Sequence, residues 1–199
     1  MTPLQNIAMG LVITLVDTDV RGFDAVPDVL GWVLVVLGLR GLRDRMPAAT
    51  LLWLGVLAGV VSLALVHRST LAALPESTGW LLSLAQIAFS FLLCREVADL
   101  VAPRYGADPT ALTRVGEQLA RRFRLLSGAF VVAAVGPVLL YGGGIGWLLT
   151  PLAVITVVSN VYLVYLLFRT SSLLHPRPPR TRAQEQAPDD LPGPGRDEE

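Results

Sequence analysis

The chain has 199 residues, of which 53% are hydrophobic and 16% charged, and its formal net charge is zero. So few charges leave no room for a soluble catalytic domain, and the even balance provides no basic face for nucleic acid. Five uncharged runs dominate instead: Met1–Val16, Val29–Leu39, Met46–Val66, Ser77–Cys94 and Leu125–Phe168.

About 20 apolar residues cross the roughly 30 Å hydrocarbon core of a bilayer as a helix. The run Leu125–Phe168 is about twice that length, so it must cross twice, with its break at Gly142-Gly143-Gly144. The expected fold is all-α: a polytopic membrane bundle over 1–169 with about six spans, at 4–20, 27–43, 47–66, 79–101, 124–141 and 146–169. No positively charged segment precedes the first run and no small-residue cleavage site follows it, so it reads as a retained span.

In the first span Asn6, Gly10 and Asp17 share a face, with Thr14 nearby. The loop that follows is the most polar outer feature, with Asp17, Asp19, Arg21, Gly22, Asp24 and Asp28. Counted as a twelve-residue calcium loop it has acids at positions 1, 3 and 12 and glycine at 6. Asp17, Asp19, Asp24 and Asp28 are thus the candidate metal ligands. Against them, Arg21 stands where an oxygen ligand belongs, and Asp28 is shorter than the bidentate glutamate. A turn at Gly22, with Asp24 and Asp28 at the positive end of the next helix, accounts for the same residues without a metal.

The second span has the shortest uncharged core, only Val29 to Leu39, so Arg40 and Arg43 must snorkel outward or the segment must re-enter. Its sequence, Pro27-Asp28-Val-Leu-Gly31-Trp32 followed by aliphatics and Gly38-Leu39, resembles a segment of small uncharacterised bacterial multi-pass membrane proteins. The resemblance covers about the first 45 residues. It implies a bacterial cytoplasmic-membrane location and weight on Pro27, Asp28, Gly31 and Trp32, but no activity. Gly-Trp also opens the fourth and sixth spans, at Gly79-Trp80 and Gly146-Trp147, which places an indole near the outer interface three times. Three repeated hairpins, or interfacial tryptophan alone, would give that pattern.

Gly55 and Gly59 permit close approach in the third span. On the fourth, Ser83, Gln86, Ser90 and Cys94 fall on one face; Cys94, the single cysteine, excludes an intramolecular disulfide and reads as a packing residue. Residues 108–123 carry Leu112, Val115, Leu119 and Phe123 at helical spacing after Asp108-Pro109, an amphipathic helix expected to lie in the cytoplasmic headgroup region. A cytoplasmic helix packed on the bundle is the alternative. Thr156, Ser159 and Asn160 cluster on the sixth span, and the proline-rich segment 170–199 reads as a disordered tail.

Arginine sets the orientation. With both termini cytoplasmic, the inside segments hold fourteen of the sixteen arginines and the outside segments only Arg21 and Arg68. Asn6, Thr14, Ser83, Gln86, Ser90, Thr156, Ser159 and Asn160 are the candidate lining of a polar pathway through helices one, four and six. Hydrogen bonding between helices accounts for the same residues and is the favoured reading. No charged residue or histidine lies near the middle of a span, and no nucleophile–base pair, phosphate loop or metal cluster occurs, so neither an enzyme nor a cofactor is expected. The functional expectation is a non-enzymatic accessory or assembly component whose partners are the lipid bilayer and another membrane protein or a second copy; the alternative is a small permease or channel.

Overall fold

The computed structural model describes residues 2–15, 19–20, 23–24, 28–65, 76–102 and 111–174. Among them are six α-helices: α1 (Pro3–Leu15), α2 (Asp28–Arg40), α3 (Ala49–Leu65), α4 (Glu76–Val101), α5 (Ala111–Gly143) and α6 (Leu149–Leu174). Three segments are long and apolar enough to cross a membrane: Trp80–Val101, Thr113–Gly143 and Gly146–Leu173. By contrast α1 and α2 have 13 residues each, about 20 Å of helix.

Each helix packs on its sequence neighbours, and α6 packs on α1, so the six close into a ring. One apolar core fills it, with Leu4, Ile7, Phe89, Phe123, Phe130 and Leu163 among its most buried side chains. The outward faces are apolar as well; Val131, Val135, Val157 and Val161 are all exposed. Apolar residues both inside and outside are what a bundle immersed in lipid requires.

Local chemistry explains the ends of the elements. The Thr2 amide donates to Gln5 Oε1 at 3.0 Å and the Gln5 amide donates to Thr2 Oγ1 at 3.3 Å, a reciprocal cap ahead of Pro3 at the first helical position. α5 ends at Gly143, and Gly144 turns the chain at φ 66°, a left-handed conformation that glycine adopts without a Cβ penalty. A short 3₁₀ turn, Gly146–Leu148, leads into α6, where Pro151 sits in the first turn and displaces no ladder hydrogen bond.

Several expected boundaries are corrected. The span over 4–20 ends at Leu15, because Asp19–Val20 pairs antiparallel with Phe23–Asp24, Asp19 opposite Asp24 and Val20 opposite Phe23. The span over 27–43 ends at Arg40; Leu42, Arg43 and Arg45 donate to carbonyls three residues back in successive tight turns. Residues 111–123 are not a separate surface helix. They run without interruption into the following span as α5, 33 residues or about 50 Å. Leu119 and Phe123 are buried in the core and Val115 packs against it, so that apolar stripe meets protein rather than headgroups. The tail begins later than residue 170: α6 continues to Leu174, with Thr170 and Ser171 buried. No proline interrupts it before Pro176. Residues 108–110 and 175–199 lie outside the described residues.

Candidate functional site

The segment from Asp28 to Leu39 proves to be the hinge of the α1–α2 pair. Gly31 and Gly38 are one heptad apart and buried, so they fall on the same side of α2. A Cβ on Gly31 would stand 2.6 Å from the Gly10 carbonyl oxygen, and one on Gly38 would stand 2.6 Å from that of Pro3. A Cβ on Gly10 would in turn meet the Gly31 carbonyl oxygen. The two backbones touch across a surface that only glycine permits. Asp28 opens α2, where its carboxylate favours the positive end of the helix dipole. Pro27 lies outside the described residues.

Trp32 does not anchor the protein to an interface. It is 2% exposed, donates its indole Nε1–H to Ser62 Oγ of α3 at 3.1 Å, and meets Phe89 of α4 edge-on with ring centroids 5.2 Å apart. One residue thus ties α2 to both α3 and α4. Trp147, in the matching position before α6, is 75% exposed, and Trp80 is intermediate. The three Gly-Trp pairs occupy three different environments, which removes the structural parallel expected of repeated hairpins.

The candidate pathway residues make mainly local hydrogen bonds. Thr14 donates to the Leu11 carbonyl, Ser83 to that of Trp80, Thr156 to that of Leu152, and Asn160 to that of Thr156, at 2.7–3.0 Å. Each is satisfied within its own helix and lends nothing to a neighbour. Asn6 and Gln86 are half-buried, and Ser159 is buried. Ser90 differs: its hydroxyl is fully buried and has no hydrogen-bond partner. In the ring α1 adjoins α6, whereas α4 packs on α3 and α5, so the eight residues are spread around the apolar core rather than gathered at one point.

The acidic loop is described only in part. Asp19 and Asp24 stand opposite each other in the two-residue pairing, and Asp17 lies outside the described residues. Among the described residues no group of three or more His, Cys, Asp or Glu side chains is placed to hold a metal. Cys94 is buried in the core. At one end of the α4–α5 pair Arg124 meets Asp99 at 3.3 Å, with the two side chains 63% and 67% exposed. An ion pair so open to its surroundings contributes little.

One feature went unread in the sequence: a groove along the outward side of α2 and α3, headed by Arg40 and Arg43. Its signal there is a tryptophan, Trp53, eight residues beyond an arginine cluster between two apolar runs. No family model matches the chain, and neither a curated protein nor a solved structure matches it.

Proposed function

We propose that the protein is a multi-pass integral membrane protein of a bacterial cytoplasmic membrane, acting without catalysis as an accessory or assembly component through its outer faces. The observation that carries this reading is the filled centre of the ring, where Phe89, Leu93, Phe123, Phe130, Leu163 and Leu166 are buried in one apolar cluster. A centre packed in this way supports recognition at the lipid-facing and cytoplasmic surfaces over passage through the middle. The uncharged runs support six crossings, and the arginine distribution then supports cytoplasmic termini, since the reverse orientation would put fourteen of sixteen arginines outside. The short helices α1 and α2 reach both interfaces by local thinning of the bilayer, at a modest cost per ångström of mismatch.

A permease or channel is the competing reading, and the specific observation in its favour is the pair of buried polar atoms without partners, Ser90 Oγ and Trp80 Nε1. Single cysteines separate the two. In a Cys94→Ala background, Ser83→Cys, Ser90→Cys and Ser159→Cys are expected to resist a membrane-impermeant maleimide from both sides until the protein is denatured. Labelling of Ser90→Cys in intact vesicles would establish a hydrated path and overturn the accessory reading. For topology, a reporter active only in the cytoplasm should work when fused after Arg45 and be silent at Gly143.

A further inference from the structure

Two adjoining hollows run along the outward side of the α2–α3 pair and share Val36, Arg40 and Val56. The apolar one, about 300 Å³, lies between Val33 and Val36 on one side and Val56 and Val60 on the other. The second, about 510 Å³, lies at Arg40 and Arg43 beside Trp53, which is 76% exposed.

The dimensions and charge of this groove select its occupant. From Val29 to Arg40 it follows twelve residues of helix, about 16 Å from first to last and nearly the whole of α2. That length is close to half of the roughly 30 Å hydrocarbon core, the reach of one acyl chain. Arg40, Arg43 and Arg45 have no ion-pair partner among the described residues, and Asp44 in the same turn lies more than 4.0 Å from each guanidinium. Trp53 stands beside those arginines, where an indole marks the headgroup level. A partner helix would need no cluster of cations at one end.

We propose that this groove binds one anionic glycerophospholipid, with its phosphate held by Arg40 and Arg43 and one acyl chain laid between α2 and α3. Arginine suits the headgroup end because its planar fork donates two parallel hydrogen bonds to phosphate oxygens. The proposal rests on the membrane-embedded reading above and is independent of what the bundle does there.

The test reconstitutes the full chain in vesicles of equal phosphatidylcholine and phosphatidylglycerol, then extracts it in mild detergent for native mass spectrometry. One phosphatidylglycerol should be retained in preference to phosphatidylcholine. Arg40→Gln with Arg43→Gln should weaken that retention roughly tenfold or more, because two cations are removed from an anionic ligand. Val56→Trp should weaken it with both arginines intact, by filling the groove from an exposed position. Both variants should unfold at the wild-type temperature, and Arg121→Gln with Arg122→Gln on α5 should leave retention unchanged. Equal retention of the two lipids would overturn the proposal, as would retention that both groove variants preserve. Displacement of the lipid by inorganic phosphate alone would reduce the site to its headgroup end and overturn the acyl contact. A second copy of the chain bound in place of lipid, and lost on Val56→Trp, would make the groove a self-interface. If the chain does not enter the vesicles, the membrane reading fails and this proposal falls with it.

Discussion

The α1–α2 pair and the α4–α5 pair hold together by opposite means. α1 and α2 are 13 residues each and meet through glycine, with the Gly10 and Gly31 backbones in contact. α4 and α5, of 26 and 33 residues, bury Phe89, Leu93 and Val97 on one helix and Leu119, Phe123, Leu126 and Phe130 on the other. Lipid tails are as apolar as leucine, so burying a side chain between helices gains no hydrophobic free energy within the bilayer, and close packing must supply the attraction. A long helix gains enough contact from large side chains meeting along its length. A short helix has few turns to use and must bring the backbones together instead. The lesson is one of proportion: the shorter pair depends on glycine along its length, whereas the longer pair uses it at one end, where a Cβ on Gly116 would stand 2.7 Å from the Val101 carbonyl oxygen, and rests elsewhere on side-chain volume.

That contrast can be broken at its strongest point first. Phe123→Ala empties a fully buried ring position in α5 and should destabilise the bundle by about 3–5 kcal/mol, read as a lower thermal unfolding midpoint in detergent. A loss under about 1 kcal/mol would mean that the long pair is loosely packed and collapses into the void.

Gly31→Ala tests the short pair by addition. Its new methyl group would press on the Gly10 carbonyl oxygen, with a loss of about 1–3 kcal/mol expected. Gly128→Ala in α5 is the control outside any helix contact: nothing lies within 4 Å of the new Cβ, so it should be neutral or stabilising by up to about 1 kcal/mol. Equal effects from the two substitutions would show that the Gly10–Gly31 contact gives way without cost.

The smallest effect sharpens how the short pair joins the rest. Ser62→Ala removes the acceptor of the Trp32 indole and should cost about 0.6 kcal/mol, the average for a hydrogen bond between membrane helices. The Trp32 fluorescence should shift with it, measured in a variant whose other three tryptophans are replaced by phenylalanine. An unchanged spectrum would show that the edge-on contact with Phe89 alone fixes the ring.

Much of the helical layout could be read in the sequence, because uncharged runs and glycine breaks are local signals. The turn after α5 falls at Gly144, the last of three consecutive glycines, while Gly142 and Gly143 still belong to the helix. The cap formed by Thr2, Pro3 and Gln5 is equally legible, as a Thr-x-x-Gln spacing. What could not be read is which partner a face meets. Leu119 and Phe123 form the same apolar stripe whether lipid or protein covers it, so the sequence suggested a surface helix where α5 is continuous. Trp32 and Trp147 share a dipeptide, yet one is core and the other is exposed, a difference created by Ser62 and Phe89 on other helices. The candidate pathway residues suffer from the same gap. A face of hydroxyls does not reveal that most of them bond to their own backbone.

The ring closure between α1 and α6 also has a history in time. A ribosome adds about 5–20 residues per second, so α1 emerges roughly 10–30 s before the helix that will cover its second flank. Through that interval the hairpin of α1 and α2 can form, because both strands of its glycine contact have already been made. The other side of α1 stays uncovered until the last helix is made. The order of synthesis therefore leaves this flank open longest, and the arrival of α6 closes the ring.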